Sequence, residues 1–130
     1  MAYENDYIMR MIKEAIRALA AFALGRDLPP YELPEEKENY TERDRLYEQL
    51  ITLAEEGKIN EAENLLFDHI DDGIDDIFQL GINFYLYINE FSNDKLDESD
   101  YPREELIEGI KDFSRACGVE MSDGFFQLIS

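Results

Sequence analysis

Residues 74–91, IDDIFQLGINFYLYINEF, read as a helix apolar almost all the way round, with Ile74, Ile77, Phe78, Leu80, Phe84, Tyr85, Tyr87 and Ile88 among its apolar residues. A helix of that kind has to be enclosed by other elements, so the rest of the chain must be arranged around it. INFYLYI alone would suit a strand by its aromatic and β-branched content. The chain offers no second strand to pair with it, and a lone strand is not stable. The segment is therefore read as the central helix of an all-α fold. A chain of 130 residues can bury about two-thirds of its unfolded surface, enough for a sizeable core.

Four further helices are predicted around it, five main helices in all. From Asp6 to Leu24, Ile8, Met9, Ile12, Ile16, Leu19 and Ala23 recur at helical spacing, with Arg10, Lys13, Glu14 and Arg17 opposite. Met11, Ala18 and Phe22 widen the apolar arc beyond an ordinary core stripe. Two readings compete: burial between two layers of the chain's own domain, or a helix shared with a partner or a membrane surface. Gly25 closes the helix. The prolines at 29, 30 and 34 then forbid a continuous helix, so residues 26–40 read as a linker laid over the surface.

Thr41 with Asp44 caps the second helix, whose inner face is Leu46, Leu50, Leu53 and Ala54, up to Gly57. Asn60 and Glu63 cap the third, which turns Ala62, Leu65, Leu66 and Ile70 inward. The connection is so short that the two must pack antiparallel. SNDKLDESDY is read as a charged loop. Pro102 opens the last helix, with Leu106, Ile107, Ile110 and Phe113 inward and its end at Gly118. Phe125, Phe126, Leu128 and Ile129 make the tail too apolar to hang free, and it is expected to dock on the core or another subunit. The domain reading is one helical unit, 1–130, divided into a helix (1–25), a linker (26–40) and a hairpin core with docked tail (41–130).

Charge narrows the partners. The formal net charge is −19, and residues 1–30 are balanced, with Arg10, Lys13, Arg17 and Arg26 against Glu4, Asp6, Glu14 and Asp27. The whole excess lies in residues 31–130, and such a surface repels phosphate backbones. Direct nucleic-acid binding is excluded on that ground. Cys117 is the one cysteine, so no intramolecular disulfide forms and a reducing compartment is expected. Glu4 and Asp6 stand where a secretory signal needs positive charge, and no apolar run is long enough for a membrane span. The expected location is cytoplasmic.

Two resemblances rest on particular residues. LYEQLITLAEEGKINEAENLLF, residues 46–67, resembles a tetratricopeptide-type helical hairpin: Leu46, Leu50 and Leu53 on one helix, Gly57 in the turn, Ala62 and Leu66 on the other. A shift of ~34 residues, the period of that repeat, carries Leu46, Leu50, Leu53 and Ala54 onto Leu80, Phe84, Tyr87 and Ile88. Gly109 and Phe113 could then stand for Ala62 and Leu66, but Gly57 falls on Phe91. Separately, YENDYIMRMIKE, YELP and EGKINEAENLLF are similar to a family of small, acidic, helical bacterial proteins of unassigned function. That resemblance implies an all-α fold and a bacterial origin, and no catalytic residues.

The run FDHIDDGIDDIFQL, residues 67–80, is the densest candidate for chemistry, with five aspartates and the only histidine. With Gly73 at the sixth position of an EF-hand loop, Asp68 and Asp72 fit, but Ile70 and Gln79 fall where oxygen ligands are required. His69, Asp72 and Asp76 would share a face if one helix ran through Gly73, yet a bundle di-metal site needs Glu-x-x-His pairs that one histidine cannot supply. The plainer reading is a junction, with Asp71 or Asp72 as a cap and Asp75 and Asp76 in a first turn, where negative charge suits the helix dipole. Cys117 reads as a structural thiol, since only His69 could serve as an imidazole base. No phosphate-binding glycine loop, nucleophile elbow or zinc spacing occurs. No catalytic, cofactor-binding or metal residue is assigned.

The functional expectation is a non-enzymatic protein–protein interaction or scaffolding module, self-association included. The alternatives are a metal- or small-ligand-binding enzyme built on residues 68–76, with Asp72 and Asp76 as its test positions, and an acidic mimic of nucleic acid that binds a basic protein.

Overall fold

The computed structural model describes residues 2–119, with side chains from residue 6 onward. The elements are α1 (Ala2–Leu24), a short 3-10 turn (Lys37–Asn39), α2 (Glu42–Glu55), α3 (Ile59–Asp68), α4 (Ile77–Asn89), α5 (Asn93–Glu98) and α6 (Arg103–Ala116). Among the described residues the fold is entirely helical: five main helices and the six-residue α5. The expected docking of the tail falls outside the described residues.

Local chemistry sets most of the boundaries. At the start of α2 the Asp44 N–H donates to Thr41 Oγ1 at 3.3 Å while the Thr41 N–H donates to Asp44 Oδ2 at 2.9 Å, a reciprocal cap. At its end Gly57 takes φ +81, its N–H reaches Ala54 O at 3.0 Å, and the Lys58 N–H reaches Leu53 O at 2.8 Å. Both bonds satisfy carbonyls that the last turn leaves open. The link is then so short that α3 folds straight back on α2, burying Leu46, Leu50 and Ala54 against Ile59, Ala62 and Leu66.

Helix α4 lies at the centre, in contact with α1, α2 and α6. Leu80, Ile82, Phe84, Tyr85 and Ile88 are fully buried. Gly81 is what lets α6 cross it, because a Cβ there would fall 2.1 Å from the Phe113 ring. Its other end is held by Arg103, the first residue of α6. The buried guanidinium donates to Asn89 O at 2.9 Å, Asn89 Oδ1 at 3.0 Å and Phe91 O at 2.7 Å. A cation on the last carbonyls of a helix satisfies open acceptors and suits the dipole.

Several sequence expectations are corrected. Helix α1 begins at Ala2, earlier than Asp6. The charged loop after residue 91 contains α5, because Ser92 accepts from the Lys95 N–H at 3.1 Å and the fully buried Leu96 anchors the turn. The N-cap of α3 is Lys58, with no side-chain cap. Asn60 donates instead to Asp100 O at 3.0 Å, and Glu63 faces inward. Helix α4 begins at Ile77 rather than Ile74 and ends at Asn89, so Phe91 lies beyond it. The linker is less superficial than expected: Leu28 and Tyr31 pack against the core, and Tyr31 stacks on Tyr47 with ring centroids 4.0 Å apart.

Candidate functional site

Helix α1 divides into three sectors. Ile12, Ile16, Leu19 and Ala20 are fully buried and face α4. Burial of each large side chain among them stabilises the attachment by about 1.5–3 kcal/mol. Asn89 on α4 adds a polar tie, its Nδ2 donating to Met9 O at 2.9 Å. Near the other end Asn83 Nδ2 donates to Pro29 O at 3.1 Å and fixes the chain that leaves α1. Arg10, Lys13, Glu14 and Arg17 occupy a second, exposed sector.

The third sector is apolar and only partly covered, with Ile8, Ala18 and Phe22 exposed and Met11 and Ala15 half-buried between them. Ile8, Met11, Ala15, Ala18 and Phe22 follow one another at alternating steps of three and four, the spacing of a coiled-coil seam. Ile8 is 38% exposed and Phe22 64%; beside them Tyr7 is 60% exposed, and these are the three large hydrophobics of the described chain that stand out from the surface. The wide apolar arc of α1 consists of two adjacent stripes, and among the described residues only the one facing α4 is fully buried.

The acidic run is a junction, though not with the predicted caps. Asp76 is the residue before α4 and adopts a left-handed conformation at φ 52, without a side-chain cap, after a turn through Gly73 at φ 76. Asp75 precedes it, so neither sits in the first turn of α4. Asp71 and Asp72 cap no helix. His69 Nδ1 and Asp72 Oδ2 pair at 2.7 Å, and Asp72 and Asp76 are both exposed. Gln79, where an EF-hand needs its last carboxylate, is buried within α4. Among the described residues no group of three or more His, Cys, Asp or Glu is arranged to hold a metal ion. Cys117 is half-buried, and burial, with the charge of Asp71 adding to it, pushes its thiol up to about 11. A nucleophilic cysteine requires the opposite shift.

Glu63, expected as a helix cap, instead carries a partly buried carboxylate contact between three elements of the chain. Its Oε2 accepts from Tyr85 Oη at 2.7 Å and Tyr101 Oη at 2.8 Å. Gly109 leaves room for it, since a Cβ there would lie 2.3 Å from that oxygen. Burial raises the carboxyl above the usual glutamate range; the tyrosine bonds oppose this, and the charges of Glu105 and Asp112 reinforce it. The group borders an open cleft of about 360 Å³ with Asn64, Phe67, Glu105, Glu108 and Asp112. Its acidic lining disfavours an anion there. Periodicity gave no sign of the cluster, whose partners lie 22 and 38 residues away.

Tyrosines recur as carboxylate partners elsewhere. Tyr31 donates to Asp44 at 2.7 Å, Tyr40 to Glu48 at 2.8 Å, and Tyr87 to Glu55. The Glu55 bond is the main reason that the Tyr87 hydroxyl is pushed up to about 12.

Among the described residues no helix is long and apolar enough to cross a membrane. Residues 2–118 match the model of a family described as a family of unknown function, DUF6483. No curated protein and no solved structure matches. The tetratricopeptide likeness thus rests on the residues of the α2–α3 hairpin alone.

Proposed function

We propose that this chain, which belongs to the DUF6483 family of unknown function, is a non-enzymatic protein–protein interaction module. The whole chain acts as one unit, in which residues 1–25 present the contact and the remaining helices hold it in place. Its occupant is the apolar face of a helix from another polypeptide chain. One observation carries the reading: the apolar stripe Ile8, Met11, Ala15, Ala18 and Phe22, exposed at Ile8, Ala18 and Phe22 and half-buried at Met11 and Ala15, keeps the three-and-four spacing with which one helix packs against a second. The two alternatives, an enzyme at residues 68–76 and an acidic nucleic-acid mimic, rest on charge alone.

A photo-crosslinking residue placed at Phe22, and in a control at the exposed Lys37, tests this in the native cell. The expected result is a discrete protein adduct from position 22, mapped to an apolar helical peptide, and none from position 37. Equal yields from the two positions would sink the proposal.

A further inference from the structure

We infer that the helix that covers the open stripe of α1 is the α1 of a second copy, paired parallel and in register about a two-fold axis. The inference rests on the interaction reading above and names its partner.

Charge selects the place. The net charge is −19, and four basic and four acidic residues cancel within residues 1–30, so the whole excess belongs to residues 31–130. Two copies repel each other over most of their surface, and α1, with Arg10, Lys13 and Arg17 against Glu4, Asp6 and Glu14, is where that repulsion is weakest. The same helix carries the exposed seam. Ala15 and Ala18 at its middle let two helix axes approach closely, while Ile8, Met11 and Phe22 provide the bulk at its ends.

Geometry selects the direction. The open stripe and the face packed on α4 are about a third of a turn apart around α1. In a parallel two-fold pair the two acidic bodies fall on opposite sides of the helix pair. An antiparallel pair brings them to the same side, where bulk and charge both oppose the contact. Parallel pairing also turns the exposed Tyr7, which flanks the stripe, toward the second copy.

Sedimentation equilibrium of the full chain tests the pairing. Twice the chain mass is expected, with the dimer strengthened as added salt screens the repulsion between bodies. Ala18→Glu places a charge at a position already exposed in the single chain, so the fold is retained and the dimer is lost; Lys13→Ala, outside the stripe, leaves it intact. Ile8→Cys in a Cys117→Ser background sets the direction, since equivalent residues meet only in the parallel pair and oxidation then links the two chains. A monomer at every concentration and salt overturns the inference, as does a dimer untouched by Ala18→Glu or one that cannot be linked through position 8. A photo-crosslinker at position 18 that couples to residues 120–130 of its own chain gives the stripe to the tail and also overturns it. A monomer whose position 22 still yields a discrete foreign adduct sinks only the self-pairing. A monomer that yields none sinks the interaction reading as well.

Discussion

Helices α1 and α4 are both apolar over most of their circumference, yet one is half uncovered and the other enclosed. The difference lies in what each does with its polar residues. Helix α4 has no charged side chain; its buried amides face inward, Asn83 holding Pro29 and Asn89 holding both Met9 and Arg103. Every side of α4 is committed to a neighbour. Helix α1 keeps a charged sector that must stay in water, so it lies at the edge, where Ile8, Ala18 and Phe22 of its second apolar stripe stay exposed among the described residues. An apolar arc alone does not predict enclosure. The placement of the polar remainder does.

Substitutions on the two helices should separate these roles. Phe84→Ala, in the fully buried centre of α4, is expected to cost about 3–5 kcal/mol in urea unfolding. A loss below about 1 kcal/mol would show that α4 is not the enclosed element. Asn89→Ala removes ties to α1 and α6 together, for an expected loss of about 1–3 kcal/mol. Faster amide exchange in α1 than in α2 should accompany it.

Glu63→Gln examines a carboxylate placed inside rather than on the charged sector of a helix. Because folding raises the Glu63 carboxyl, its stabilising contribution is present below the ordinary glutamate range and is lost as pH rises through the folded value. The natural chain should therefore gain stability relative to Glu63→Gln when the medium goes from neutral to about pH 5. Parallel pH profiles for the two proteins would refute the shift. The smallest effect is expected for Phe22→Ala, within about 0.5 kcal/mol in dilute solution, since a side chain already 64% exposed loses little. A larger loss that grows with protein concentration would show that the stripe is covered by association.

What the sequence made legible follows from the range of the interactions. The Thr41–Asp44 cap and the stops at Gly25, Gly57 and Gly118 are local chemistry, written within a few residues, and each is found as expected. The apolar excess of α1 was also visible, though periodicity could not say which stripe would be covered. The start of α4 was misplaced because the spacing of Ile70, Ile74 and Ile77 fits a helix equally well on either side of a turn, and the left-handed Asp76 leaves no compositional mark. Helix α5 hid behind its charge, with Leu96 its only buried residue. Arg103 and Glu63 owe their roles to groups brought together only by tertiary folding.

The tyrosine contacts have a consequence of a different kind. Among the described residues five phenol hydroxyls serve carboxylates, at Asp44, Glu48, Glu55 and twice at Glu63; Glu48 and Glu55 also pair with Lys37 and Lys95, so it is at Asp44 and Glu63 that phenols stand in place of an ion pair. A lysine or arginine in the same place would cancel the charge that it binds. A phenol satisfies the oxygen and leaves its electron in the balance. The phenols at Asp44 and Glu63 therefore add no counter-charge, and the net charge of −19 is balanced by the small ions of the medium. The folded molecule travels with an atmosphere of mobile cations.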